Sequence, residues 1–150
     1  MPVKRALLLL AAVGVLSSVA ACSSPAQSTF GLQVTVKDGT KKGSICDLPG
    51  SPQGGSSLKV DSKAAPPNFW VETQHDFDAD SAYTVRAYTA DAYQDGTTNV
   101  PVKKNVLVEK RYDETFGRIH GTDTFKVTFE GTAYDVVVNG FPKGETCPVP

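Results

Sequence analysis

The chain has 150 residues, with 15 Lys and Arg against 16 Asp and Glu and a formal net charge of −1. Such a balance offers no basic stripe, which argues against nucleic acid as the main partner and against a polybasic grip on anionic lipid. Length and composition bound a single domain with a real but modest core.

The first element in chain order is a targeting segment. Met1 to Arg5 is a short positive head, Ala6 to Leu16 is an unbroken apolar run, and small residues then lead to Cys22. This is the layout of a secretory signal. Its apolar middle is shorter than the ~20 residues that a spanning helix needs. The closing residues Val19-Ala20-Ala21-Cys22 resemble the lipobox of bacterial lipoproteins. That resemblance implies a diacylglyceryl thioether on the Cys22 sulfur, cleavage just before Cys22, and further acylation, such as palmitate, of the new amino group. Two or more acyl chains, at ~0.8 kcal/mol per buried methylene, hold a protein stably at a bilayer. Removing residues 1–21 leaves 129 residues and takes away Lys4 and Arg5, so the net charge moves from −1 to −3. Residues 22–29 then read as the lipidated cysteine and a short polar tether, and 30–150 as a β-rich globular domain.

Within that domain the signals are strand-like. Leu32, Val34 and Val36 alternate with polar residues before Asp38-Gly39, a half-buried strand entering a hairpin-type turn. Residues 43–47 read as its partner strand. Residues 48–57, rich in Gly and Pro, read as loop, and 58–61 as a short strand. Residues 69–73 read as a strand with Trp70 as its large anchor. Tyr83 to Ala90 follows, then Val100 to Lys110, where Pro101 confines the run to a strand start or an edge. Tyr83 and Tyr88 are five residues apart, so one strand sends them to opposite faces. Asp113 to Arg118 and Ala79 to Ala82 each have room for one helical turn. Phe125, Val127 and Phe129 alternate cleanly. A turn at Gly131-Thr132, a strand over 133–138 and a second turn at Asn139-Gly140 complete the pattern. Short strands separated by turn signals, with no sustained helical period, predict an all-β fold: a single antiparallel β-sandwich or a barrel-like sheet.

Cys46 and Cys147 are the remaining cysteines. An even pair in an exported, oxidising setting predicts a disulfide, two free thiols or a metal pair being the alternatives. Neither has another Cys or a His at metal spacing. A loop of about 100 residues closed this way contributes roughly 4–5 kcal/mol in the chain-entropy picture.

Candidates for chemistry are sparse. Asp76, Asp78 and Asp80 alternate as calcium ligands do, but Ser81 and Ala87 stand where an EF-hand loop needs Gly and Glu. They are weak metal candidates, and a solvated turn is the simpler reading. His75 and His120 are the only histidines and lack metal spacing. Glu109, Asp113 and Glu114 offer paired acids for glycoside chemistry, with solvated surface charge the simpler reading, and there is no Gly-x-Ser-x-Gly elbow. Tyr83, Tyr88, Tyr93 and Trp70 offer material for an aromatic face.

Three stretches make the chain similar to the mycobacterial lipoprotein antigen family. They are the lipobox followed by Ser23-Ser24; Val34-x-Val36 with Gly39 and then Gly43-Ser44-Ile45-Cys46; and Ile119-x-Gly121-Thr122 ahead of a strand pair and Cys147. The resemblance implies a lipid-anchored, disulfide-closed β-domain with no cofactor and no catalytic residues to carry over. Family members usually carry a longer tether, and here 141–146, with Pro142 and Gly144, intervene before the final Cys. The sequence therefore predicts a non-catalytic binding or surface-interaction module on the extracytoplasmic face of the cell envelope. Its partners are the membrane, through the lipid anchor, and an envelope protein or lipid ligand of unknown identity, with no nucleic acid. The alternatives are a lipid or glycolipid carrier with an apolar cavity, an envelope hydrolase, and a phage-encoded exclusion lipoprotein.

Overall fold

A computed structural model describes residues 27–50, 54–60, 67–76, 81–91 and 103–148. Eight strands and one short helix appear among them: β1 (Phe30–Lys37), β2 (Lys41–Asp47), β3 (Gly54–Lys59), β4 (Asn68–Asp76), β5 (Ala82–Ala90), β6 (Lys104–Tyr112), α1 (Glu114–Arg118), β7 (Thr122–Phe129) and β8 (Thr132–Pro142). They form two four-stranded sheets, ordered β2-β1-β8-β7 and β3-β4-β5-β6, in which every pairing is antiparallel. The sandwich predicted from strand periodicity is what the chain adopts.

Period-two patterning explains which side chains face inward. From the first sheet come Phe30, Leu32, Val34, Val36, Ile45, Phe125, Val127, Phe129, Tyr134, Val136 and Val138. Phe69, Val71, Tyr83, Val85, Ala87 and Tyr112 meet them from the second. Aromatic rings knit the two layers together. Phe69 stacks on Phe129 at 5.5 Å and tilts against Tyr134 at 5.0 Å, while Phe30 meets Tyr83 edge-on at 5.2 Å. Phe69, not Trp70, is therefore the anchor of β4. The inward set on β4 is odd-numbered, so Trp70 lies on the opposite face, stacked on Tyr88 at 6.5 Å. Tyr83 and Tyr88 do divide between the two faces of β5. The outer face of this sheet also carries Glu72, Gln74, Arg86, Lys104 and Glu109 as an ion-pair and hydrogen-bond lattice, each exposed link of which is worth little alone.

Three of the departures from expectation have a clear local reason. β3 begins at Gly54, inside the stretch read as loop, because Gly55 can lie against the Thr73 carbonyl where a Cβ would collide with it. The β7–β8 turn falls at Glu130-Gly131, both at positive φ, one residue before the predicted place. β8 then runs through Asn139-Gly140 to Pro142 without turning. Gly140 serves a close contact instead: a Cβ there would sit 2.7 Å from Cδ1 of Phe116 and 2.9 Å from its carbonyl oxygen.

Cys46 faces outward from β2 and is bonded to Cys147, with a Cα separation of 6.1 Å. The C-terminal tail thus returns across the outer face of the first sheet. There the Gln33 side-chain amide donates to the Pro148 carbonyl at 2.8 Å, and His120 lies 2.9 Å from the Glu145 carboxylate. Replacing both cysteines by alanine is expected to lower the unfolding free energy by about 2–5 kcal/mol, read from the shift in denaturant midpoint under non-reducing conditions.

β6 and β7 are edge strands, one in each sheet, and a polar clasp links them. Tyr112 Oη donates to Asp123 Oδ2 at 2.8 Å, and Lys110 Nζ donates to the same oxygen at 3.1 Å. The Tyr112 hydroxyl and Lys110 hold the Asp123 carboxyl below the usual 3.8, while burial and the Asp123 charge raise the Tyr112 phenol above 10.0. A depressed carboxyl contributes stability that is present above its unfolded value and lost as pH falls through the folded one. A raised phenol contributes stability that is present below pH 10.0 and lost as pH rises beyond it. Tyr112→Phe should cost about 1–2 kcal/mol at neutral pH and flatten both limbs of the stability–pH curve, measured by urea unfolding across the range.

Candidate functional site at the tether end of the sandwich

β1 is central in its sheet and pairs with β8 over its whole length, from Phe30 opposite Pro142 to Lys37 opposite Asp135. That register puts the start of β1 and the end of β8 at the same end of the sandwich. The end of β2, the start of β3, the end of β4, the start of β5 and the β6–α1–β7 connection lie there too. The chain preceding β1, the segment read as tether, arrives at this end.

Its last residues are held in place. The Ser28 carbonyl accepts from the Gly50 amide at 2.7 Å, and the buried Ser28 hydroxyl donates to the Leu48 carbonyl at 3.2 Å. The Thr29 amide donates to Ser81 Oγ at 3.4 Å, and Ser81 Oγ lies 3.2 Å from Nε2 of the buried His75. Ser81 takes φ 41, a left-handed conformation uncommon for a residue other than glycine. Two connections, β2–β3 through Leu48 and Gly50 and β4–β5 through Ser81, therefore grip the incoming chain by backbone and small hydroxyl contacts.

On the other side stands α1. Asp113 caps it, its carboxylate accepting from the Phe116 amide at 3.2 Å, with Glu114 in the first turn and Arg118 in the last. Five residues make a weak helix alone, so packing must hold it. Phe116 tilts against Tyr112 at 4.6 Å and covers Gly140, and Gly117 abuts Phe30 so closely that a Cβ would meet its ring at 2.5 Å. Between α1 and the incoming chain lies a depression of about 500 Å³. Gln27, Ser28, Thr29, Gly50, Glu114, Arg118, Pro142 and Lys143 line it. Leu48 and Ile119 are exposed on the same connections.

The residues singled out in the sequence do not converge here as a catalytic group. Cys22 lies outside the described residues, as do Tyr93, Asp78 and Asp80, whereas Asp76 ends β4. Among the described residues, no three His, Cys, Asp or Glu side chains cluster as metal ligands, and no helix is long and apolar enough to cross a membrane. Glu109 pairs with Arg86 on the outer face of the second sheet, Asp113 caps α1, and Glu114 lines the depression. His75 and His120 go separate ways, one into the interior and one to the tail. Sequence reasoning missed Leu48, Arg118, Ile119 and Lys143. No catalytic or binding motif marks them, because they come from two separate connections and the C-terminal tail and meet only through the β1–β8 register.

One further buried polar group supports this end of the molecule. Asp47, at the end of β2, accepts from Thr73 Oγ1 at 2.5 Å and from Ser56 Oγ at 2.8 Å, tying the two sheets beneath the β2–β3 connection.

Comparison of the chain with protein-family models, with curated proteins and with solved structures found no match.

Gly140→Val should drive Phe116 off β8 and cost about 1–3 kcal/mol. Limited proteolysis should then cut within 113–121 well before the sheets unfold.

Proposed function

We propose that the protein is a lipid-anchored component of the bacterial cell envelope, held at the extracytoplasmic face of a membrane through Cys22. Its β-sandwich acts there as a non-catalytic binding or surface-interaction module. The observation that carries this reading is the placement of residues 27–29. The lipobox-like Val19-Ala20-Ala21-Cys22 lies only five residues before Gln27, and the fold grips Ser28 and Thr29 at one end of the sandwich. Five residues of extended chain span at most about 18 Å, so the domain is kept close to the bilayer with one end toward it. Confinement of that kind raises the local concentration of the domain against envelope partners without any new contact.

The interior favours a binding surface over a carrier. Phe30, Phe69, Tyr83, Phe125, Phe129 and Tyr134 occupy the space between the sheets, where a lipid carrier needs a lined apolar hollow. The hydrolase reading loses its best acids to other tasks, since Glu109 is ion-paired and Asp113 is a helix cap. The resemblance to mycobacterial lipoprotein antigens is compatible with this proposal.

The test is intact mass of the membrane fraction, with Cys22→Ala beside the wild type. Wild type is expected to lack residues 1–21, carry acyl mass and sediment with membranes. The alanine variant should lose the acyl mass and most of its membrane association. A wild type without acyl mass, or an alanine variant equally membrane-bound, overturns the proposal.

A further inference from the structure

We infer that the tether end of the sandwich is a bilayer-seating surface, on which Arg118 and Lys143 meet phospholipid headgroups while Leu48 and Ile119 reach into the interface. The inference rests on the lipid-anchor reading and adds which face the domain turns to the membrane and which side chains touch it.

Four observations converge on this occupant. First, the chain outside the described residues ends here: Gln27 and Ser28 line the depression beside α1, and Cys22 is at most about 18 Å of extended chain away. A lipidated Cys22 therefore puts the bilayer surface within reach of this end. Second, among the described residues two of the four exposed large hydrophobics, Ile119 at 69% and Leu48 at 47%, flank the entry of that chain. The Leu48 carbonyl is bonded to Ser28, and Ile119 directly follows Arg118 of the depression. Third, the depression carries two cations, Arg118 and Lys143, and a single carboxylate, Glu114, among the described residues that line it. Neither cation makes an ion pair with a described residue. The charges on the outer face of the second sheet are by contrast committed to one another. A guanidinium and an ammonium facing outward beside apolar side chains are the pattern of an interfacial contact, the phosphates meeting the cations and the acyl boundary meeting the aliphatics. Fourth, the surface is rigidly presented. α1 is locked by Gly117 against Phe30 and by Phe116 against Gly140, and His120, at φ 52, closes the turn after Ile119. Preformed presentation spares the ordering cost on contact.

Lysine labelling reads the orientation without mutagenesis. Lipidated full-length protein is bound to vesicles of phosphatidylcholine and phosphatidylglycerol, treated with a water-soluble acetylating reagent, and mapped by mass spectrometry against the same protein in detergent-free solution after the anchor has been removed. Lys143 should be protected severalfold on vesicles, while Lys41, in the hairpin at the opposite end of the sandwich, should label equally in both states. In a second arm, Trp70→Phe/Ile119→Trp carries its one tryptophan at the proposed seat, and the wild type carries its single tryptophan, Trp70, near the other end. Brominated acyl chains should quench the former and leave the latter unchanged. Equal labelling of Lys143 in the two states, with acyl mass present and the protein sedimenting with the vesicles, overturns the seating while leaving the anchor intact. Wild-type protein that lacks acyl mass and stays in the supernatant overturns both.

Discussion

The pairing of the first strand with the last is the constraint on which the rest of this structure depends. β1 and β8 lie side by side along their whole length, with Phe30 opposite Pro142. Because β1 is central and buried on both faces, its register cannot slip by one residue without moving Phe30, Leu32, Val34 and Val36 out of the core. That register decides where the N-terminal segment arrives, where the C-terminal tail departs and where α1 docks. Phe30 joins these consequences: its ring meets Tyr83 of the opposite sheet, and it abuts Gly117 of the short helix.

The remaining stabilising devices act on the margins of that pairing. The Cys46–Cys147 bond and the Gln33–Pro148 hydrogen bond strap the tail over the outer face of the same sheet, so the end of the chain cannot peel away from β1. Tyr112, Lys110 and Asp123 join β6 to β7, and Asp47 with Ser56 and Thr73 joins the sheets near β2 and β3. Buried or half-buried hydrogen bonds of this kind stabilise modestly when made and cost more when left open. They fix which edge faces which, while the aromatic interior supplies most of the driving force. A sandwich closed in this way is a stiff body, suited to presenting a surface close to where the proposed anchor on Cys22 would hold it.

Much of the architecture was legible from residue pattern alone, and the exceptions have physical causes. Alternation in 32–36 and 125–129 reads directly as half-buried strand, and the Cys46–Cys147 bond matches the pairing expected of two remaining cysteines in a chain read as exported. β3 was hidden because Gly54-Gly55-Ser56-Ser57 carries the composition of a loop, while its backbone is what β4 needs as an edge partner. Asn139-Gly140 reads as a turn because a sequence cannot tell a glycine required for its dihedral freedom from one required by the ring of Phe116. Trp70 was overvalued because size marks a residue as an anchor only when the parity of its strand points it inward. The tether end was the least legible part: Leu48, Arg118, Ile119 and Lys143 are ordinary in their local contexts, and long-range register alone assembles them. No pattern of short range encodes a surface made from two connections and the C-terminal tail.

The central claim is that fatty chains on Cys22, and not a spanning helix or a basic patch, keep this sandwich at the membrane. Metabolic labelling of expressing cells with an alkyne-bearing fatty acid, followed by coupling of a fluorophore to the purified protein, tests it most directly. The account predicts strong incorporation in the wild type and a fall to background in Cys22→Ser. Incorporation that is absent from the wild type, or that persists undiminished in the serine variant, would contradict it.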